Sequence, residues 1–184
     1  FIHIYFRPVE RGWVWQIPIT ETVTSIGVVA EKSVFRDSSA DPEAWFHKHI
    51  KTTPDIARAM EPAKRVTDFK VEADYSYALE RFAGNGYVII GDAARFVDPI
   101  FSSGVSVACY SAKFAAERVI EAIKTDNTSE EMFKPFEDKL RGGVNIWYEF
   151  IRLYYKLLPI FTFFIEKKKY RIEVLRLLQG EVYE

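Results

Sequence analysis

Gly86-Tyr87-Val88-Ile89-Ile90-Gly91-Asp92-Ala93-Ala94-Arg95-Phe96-Val97-Asp98-Pro99-Ile100-Phe101-Ser102-Ser103-Gly104 is the stretch on which the reading of this chain turns. Tyr87 to Ile90 is a short apolar run rich in β-branched residues, with no alternating polar position. Such a run predicts a strand buried on both faces, as in a parallel sheet. Gly91 ends it without a side chain to hold a ligand off the backbone. Asp92 then places a carboxylate at the strand's carboxyl end, where open α/β sheets keep their ligands. Asp98-Pro99 breaks the chain, and Ser102-Ser103-Gly104 opens a helix expected to reach about Ile123. Val105, Ala108, Ala112, Ala115, Val119 and Ile123 recur at helical spacing along it. Gly104, Ala108, Ala112, Ala115 and Ala116 are small, so this helix can approach a sheet or a flat ligand closely. Ser102 or Ser103 is a natural N-cap. The first-turn amides and the positive end of the helix dipole form a ready anion site. Acceptor and donors converge on one mouth, which reads as a cofactor site. The same pattern also fits an ordinary buried strand and helix joined by a polar loop.

Gly91-Asp92-Ala93-Ala94 followed by Asp98-Pro99-Ile100-Phe101-Ser102-Ser103-Gly104-Val105 resembles the second FAD-binding signature of flavin-dependent monooxygenases and halogenases. The wording from Phe96 to Val105 is closest to the halogenase branch. The resemblance implies that Gly91 and Asp92 meet the flavin, with the Asp92 carboxylate holding its ribityl chain, and that Pro99 lies near the reactive edge of the ring. It further implies that the amides of Gly104 and Val105 face the flavin's pyrimidine oxygen, while Ser103-Gly104 binds chloride or bromide. Asp98 stands where some members carry Glu, and Arg95 where a small residue is common.

A second motif lies near the start. Phe1 to Arg7, Gly12 to Thr20 and Ser25 to Ala30 are strand-like, and residues 1 to about 35 read as β. They are joined by Pro8-Val9-Glu10-Arg11 and Thr20-Glu21-Thr22, and such close turns predict an antiparallel meander. In the middle strand Trp13, Trp15 and Ile17 share one face by the period of two. Two neighbouring indoles build a rigid apolar wall, and Pro18 ends regular pairing. Packing beneath a sheet explains the indoles equally well. The segment Trp13-Val14-Trp15-Gln16-Ile17-Pro18 also resembles, letter for letter, the Trp-x-Trp-x-Ile-Pro hallmark of flavin-dependent halogenases. In that family the motif is a barrier beside the flavin that discourages direct oxygenation of an organic substrate.

The chain has 184 residues, enough for a substantial core. A formal net charge of -1 gives no basic field and disfavours nucleic acid as a partner. The single cysteine, Cys109, excludes an internal disulfide framework and fits a reducing cytosol. Its small neighbours predict a buried thiol. The chain opens within a strand pattern and contains no Gly-x-Gly-x-x-Gly turn. It is therefore expected to be the carboxyl-terminal portion of a larger protein whose missing amino-terminal half holds the pyrophosphate loop.

Further along, Asp41-Pro42-Glu43 opens a helix through Lys51, and Thr53-Pro54 a shorter one to Met60. His47 and His49 stand two apart and cannot share a metal from one helix face. Val66 to Tyr77 is expected to add strands to the same sheet, and Arg81 to Gly86 is turn chemistry. After a polar break at 125–129 the chain reads as helical to about Gln179, interrupted at Gly142-Gly143 and at Pro159, with Trp147, Phe150, Ile151, Tyr154, Tyr155 and Leu158 as its apolar stripe. Leu157 to Ile165 is too short to cross a bilayer. Lys167-Lys168-Lys169 and Arg171 suit an anionic surface, though a solvated face is the commoner meaning of such a run.

The expected fold is α+β or α/β: part of an FAD-binding, p-hydroxybenzoate hydroxylase-like (GR2-like) fold. Residues 1–79 form the substrate-side sheet with short helices, 80–125 the second half of the FAD site, and 126–184 a helical region that helps enclose substrate. The resemblance implies a cytoplasmic FAD-dependent halogenase in which reduced FAD, oxygen and halide modify an aromatic or other electron-rich small molecule. A flavin reductase would supply the reduced FAD. The lysine that the family uses to deliver oxidised halogen is expected outside this chain. A monooxygenase or reductase without halide chemistry, and a non-catalytic interaction module, are the alternatives.

Overall fold

The computed structural model describes residues 1–6, 12–38 and 41–183. They form two compact units, Phe1–Ala73 and Asp74–Glu184. The expected Pro8–Arg11 turn lies outside the described residues.

In the first unit β1 (His3–Tyr5), β2 (Gly12–Pro18) and β3 (Thr24–Ala30) make the antiparallel meander in the order β1-β2-β3. The β2–β3 register sets Trp13 opposite Val29 and Trp15 opposite Gly27. Alternation sends Val14 to the other face, where it is buried with Trp45, Ile50 and Ile56. Each such side chain contributes roughly 1.5–3 kcal/mol by leaving water. Those partners come from α2 (Pro42–Lys51) and α3 (Pro54–Met60), which follow a short α1 (Lys32–Asp37). Asp41 caps α2 by accepting from the Ala44 amide at 3.0 Å. The α1 helix corrects the expectation that β structure runs to residue 35: Phe35 packs edge-on against Trp45 at 5.4 Å, which favours a turn of helix over a longer strand. His49 lies against Trp45 at 4.2 Å and His47 near Glu43 at 3.9 Å. Among the described residues no cluster could hold a metal.

The expected strands over Val66–Tyr77 are not formed, apart from Tyr77. The alternation is present, but apart from half-buried Phe69, which meets Phe46 edge-on at 5.4 Å, the side chains from Val66 to Tyr77 are exposed, and among the described residues only β4 (Tyr77–Ala78) finds a ladder partner, β7 (Arg95–Phe96). A strand without a partner leaves its backbone groups to water.

In the second unit the buried parallel strand expected over Tyr87–Ile90 is also overturned. β5 (Ala83–Gly84) and β6 (Tyr87–Val88) form a tight antiparallel hairpin, with Tyr87 48% and Ile90 41% exposed. The reason is the two-residue turn Asn85-Gly86, where Gly86 takes φ 79°, a conformation glycine adopts freely. That turn is then pinned, since the Gly86 amide donates to the Thr128 carbonyl and the Glu130 amide to Asn85 Oδ1, both at 2.8 Å.

α4 (Gly104–Thr125) and α5 (Glu130–Glu166) form an antiparallel helical pair across a short connection. The buried face of α4 is Val107, Ser111, Phe114, Ala115 and Ala122. The expected stripe is rotated: Val105 and Ile123 point outward, because bulky Val107 and Phe114 fix which side packs. Cys109 lies on the outward side and is exposed, correcting the expected buried thiol. From α5, Phe133, Phe136, Leu140, Val144, Trp147, Ile151 and Tyr154 are buried, the last three as the stripe predicts.

The helix runs unbroken through Gly142-Gly143. A Cβ on Gly143 would fall 2.1 Å from Cε1 of Tyr183, so that glycine makes room for a ring rather than ending the helix. A kink does occur at Leu157 (φ -111°, ψ 17°), two residues before Pro159, whose missing N–H cannot bond back into the preceding turn. α6 (Lys168–Leu178) follows. No described helix is long and apolar enough to cross a membrane.

Candidate functional site

The site starts where the hairpin's second arm ends. Gly91 is buried with φ 58°, and a Cβ there would sit 3.5 Å from that of Ala108. Glycine therefore meets one demand, the left-handed turn, since a Cβ there would make only ordinary contact with α4. Its amide donates to Ser111 Oγ at 2.9 Å, and that hydroxyl donates to the Ala108 carbonyl at 2.8 Å. Gly91–Ala93 forms a short 3-10 helix against the start of α4, and Tyr77 donates its hydroxyl to the Asp92 carbonyl. The Asp92 side chain is exposed, with Oδ1 3.9 Å from where a Cβ on Gly104 would stand.

From β7 the chain passes to Asp98, which caps a second 3-10 helix, Pro99–Phe101, by accepting from the Ile100 amide at 2.9 Å. Tyr155 of α5 donates to the other carboxylate oxygen at 3.0 Å. Burial pushes the Asp98 carboxyl above its ordinary range, against the pull of these two donors. Phe101 stacks on Phe150 at 4.7 Å and meets Tyr154 edge-on at 5.2 Å, so α5 holds this turn from beneath.

Ser102 then adopts a left-handed conformation (φ 53°), which costs a serine about 1–3 kcal/mol and is a common mark of a functional turn. Ser103 is the N-cap by position, but its side chain makes no cap hydrogen bond. It is 2% exposed, and among the described residues its Oγ has no hydrogen-bond partner. Neither serine therefore caps the helix with its side chain, contrary to expectation. Gly104 and Val105 follow, both exposed. The first amides of any α-helix have no intrahelical acceptor, so those of Gly104 and Val105 remain available.

One corner thus gathers Gly91, Asp92, Pro99, Ser103, Gly104 and Val105. Asp92, Pro99, Gly104 and Val105 are exposed, so side chains do not plug it. A carboxylate that can accept from hydroxyls stands beside amides and a buried hydroxyl that can donate to an anion. These donors and acceptors fit a flavin ribityl chain and a halide. Trp13, Trp15, Ile17 and Pro18 belong to β2 of the first unit. There the two indole systems stand 5.7 Å apart, Trp15 donates to Ser25 Oγ at 3.1 Å, and its ring covers Gly27.

Sequence reasoning missed Ser111, Tyr77 and Tyr155, which act through backbone carbonyl, amide and carboxylate partners far away in sequence. A separate hollow of about 230 Å³ between α4 and α5 is lined by Phe114, Glu117, Arg118, Pro135, Phe136 and Lys139 and includes none of the expected site residues.

The tryptophan halogenase family profile matches residues 7–160. Over its whole length the chain is 49% identical to a 1H-pyrrole-2-carbonyl-[peptidyl-carrier protein] chlorinase of Pseudomonas fluorescens, of which it spans 41%. It is 37% identical, over 93% of its length, to a 1H-pyrrole-2-carbonyl-[peptidyl-carrier protein] brominase of Pseudoalteromonas luteoviolacea, spanning 42% of that protein. Among solved structures, the flavin-dependent brominase Bmp2 superposes with a TM-score of 0.84 and 34% identity, covering 95% of this chain and 44% of Bmp2. The chain therefore spans about two fifths of the length of these relatives.

Proposed function

We propose, given that this chain belongs to the tryptophan halogenase family, that it supplies the halide-binding part of the flavin site in an FAD-dependent halogenase. The observation that carries the reading is Ser103 Oγ, buried at the start of α4 with no hydrogen-bond partner among the described residues, and the Asp92 carboxylate near Gly104.

Bound in reduced form, FAD would supply the electrons that bring oxygen to the peroxide level, and oxygen at that level would take two electrons from the halide. In this chain Asp92 accepts from the ribityl hydroxyls, the Gly104 and Val105 amides face the pyrimidine oxygen, and Pro99 borders the ring. Ser103 and Gly104 hold the halide. Two donors to an anion at roughly 1.5 kcal/mol each, with up to about 1 kcal/mol from the helix dipole, give about 4 kcal/mol. That corresponds to a dissociation constant of about 1 mM, weak enough for a turnover substrate.

The wall of Trp13, Trp15, Ile17 and Pro18 keeps organic substrate off the flavin while a small oxidised halogen species passes. No lysine of this chain is assigned the delivery of that species. The fold is read as part of a p-hydroxybenzoate hydroxylase-like FAD domain, with a flavin reductase as supplier of reduced FAD. The names of the two relatives make a pyrrole-2-carbonyl group on a peptidyl carrier protein the favoured substrate.

The test is turnover of the full-length enzyme with reduced FAD across chloride and bromide concentrations. Halogenated product that rises with halide, and is lost in Ser103→Ala, supports the reading. Uncoupled peroxide at every halide concentration would reject it in favour of a monooxygenase or reductase.

A further inference from the structure

The helix α6 has no buried residue, which is unusual for an element of a compact unit. Val174, Leu177 and Leu178 are half-buried on its inner side, and Tyr170 meets Phe164 of α5 at 5.4 Å. On the outward side Lys168, Arg171, Ile172 and Leu175 fall at i, i+3, i+4 and i+7, forming a single stripe. All four are exposed, Ile172 at 59% and Leu175 at 41%. Two cations thus lead and two aliphatic side chains follow, with no carboxylate on the stripe. Glu173 lies off it and is turned to Arg176 at 3.7 Å. With Lys167 and Lys169, four exposed cations occupy positions 167–171.

Basic side chains at a helix's amino-terminal end work against its dipole. A carboxylate-bearing partner would relieve that opposition, and the adjoining aliphatic pair would give it an apolar anchor. A bilayer surface fits less well. Interfacial helices insert a broad apolar face, and the broader apolar side of α6 is turned inward.

The stripe also stands near the site. Leu175 precedes Gly180 by five residues, roughly 8 Å at helical rise. A Cβ on Gly180 would lie 2.8 Å from Ser106 Oγ in the first turn of α4.

We infer that the outward face of α6 is the docking surface for the protein that delivers the substrate: a carrier domain that presents an acidic, amphipathic helix beside its acyl arm. The inference rests on the reading of a carrier-bound pyrrole as substrate. Charge brings the carrier to Lys168 and Arg171, Ile172 and Leu175 seat it, and the arm extends past the Gly180 turn toward the start of α4.

The test uses the full-length enzyme and a peptidyl carrier domain loaded with a pyrrole-2-carbonyl thioester, at low and high salt. Lys168→Glu and Arg171→Glu should each raise KM for the loaded carrier about tenfold at low salt, with kcat retained, as expected when contact charges govern encounter. The difference should shrink as salt screens the pair. Lys169→Glu changes net charge equally but lies off the stripe, and should change KM little. Ile172→Ala should raise KM at both salts. Equal effects of all three charge reversals would overturn the docking face, as would binding of the wild type to phosphatidylglycerol vesicles but not to the carrier. If the wild type halogenates the loaded carrier and the variants do so equally well, the docking face alone falls. If the wild type leaves the loaded carrier untouched, the substrate reading falls and takes the docking face with it.

Discussion

Gly142 and Gly143 are neighbours in the middle of α5, and alanine at each should act in opposite directions. Nothing lies within 4 Å of a Cβ placed on Gly142. Gly142→Ala should therefore gain only helix propensity, up to about 1 kcal/mol. At Gly143 the new methyl would stand 2.1 and 2.2 Å from two carbons of the Tyr183 ring. That ring must leave its place against Tyr110, 4.6 Å away, and Phe114, 5.4 Å away. Expelling a buried aromatic side chain forfeits about 4 kcal/mol by area. Two effects oppose that loss. The helix gains the same 1 kcal/mol or so, and the Tyr183 hydroxyl, which is buried without a partner among the described residues, returns to water, worth about 1–2 kcal/mol. Gly143→Ala should thus destabilise by a net 1–2 kcal/mol or so. Urea melts of the 184-residue chain would measure both variants. A spectroscopic titration gives a second readout: burial, then neighbouring Tyr110, push the Tyr183 hydroxyl up to about 12, and its release should return it toward 10.0. If both alanines stabilise, or both destabilise equally, the account of why this Gly-Gly pair stays helical is wrong.

Three other outcomes follow from the same contacts. Ser103→Ala removes a buried hydroxyl that has no partner among the described residues, so in halide-free buffer the chain should gain about 1 kcal/mol in a thermal melt; a loss of stability would show that the hydroxyl is already satisfied. Asp98 has a raised carboxyl pKa, so its contribution to stability is fully present below the ordinary value of 3.8 and is lost as pH rises through the raised value. Asp98→Asn should flatten the fall in melting temperature over that window, and an unchanged profile would contradict the assignment. In β2, a Cβ on Gly27 would sit 1.9 Å from Trp15 Cζ2; Gly27→Ala should lift the indole off the sheet, breaking its bond to Ser25 and red-shifting tryptophan fluorescence, whereas an unmoved spectrum would show that the wall tolerates a side chain beneath it.

The parts of the fold that could be read from sequence are those fixed by local chemistry. Alternation placed Val14 and Trp15 on opposite faces of β2, and Asp41-Pro42 marked the start of α2 because cap and fixed φ act within one turn. The start of α4 at Gly104 was legible for the same reason. Choices settled by distant partners were not. Tyr87–Ile90 is apolar enough for a buried strand, but Asn85-Gly86 folds it into a hairpin that α5 then pins. The alternation of residues 66–77 is real, yet a strand exists only where a ladder partner supplies hydrogen bonds. Small residues on several sides of α4 left its buried face undetermined, and with it the exposure of Cys109. Gly143 carries no local sign of Tyr183, forty residues later. In the candidate site, residue type suggested a carboxylate at Asp92 and donors at the start of α4, while the choice of Ser103 and Gly104 for the halide came from the resemblance to the halogenase signature. Ser111, Tyr77 and Tyr155, which hold the backbone and the Asp98 carboxylate in place, had no such signal.

The most direct test of the flavin and halide corner is a crystal structure of the full-length enzyme with FAD, soaked in bromide and recorded at the bromine edge. The account predicts an anomalous peak within hydrogen-bond reach of the Ser103 hydroxyl and the Gly104 amide, with a ribityl hydroxyl on Asp92. Bromide bound elsewhere, or a flavin that leaves Asp92 in water, would contradict it.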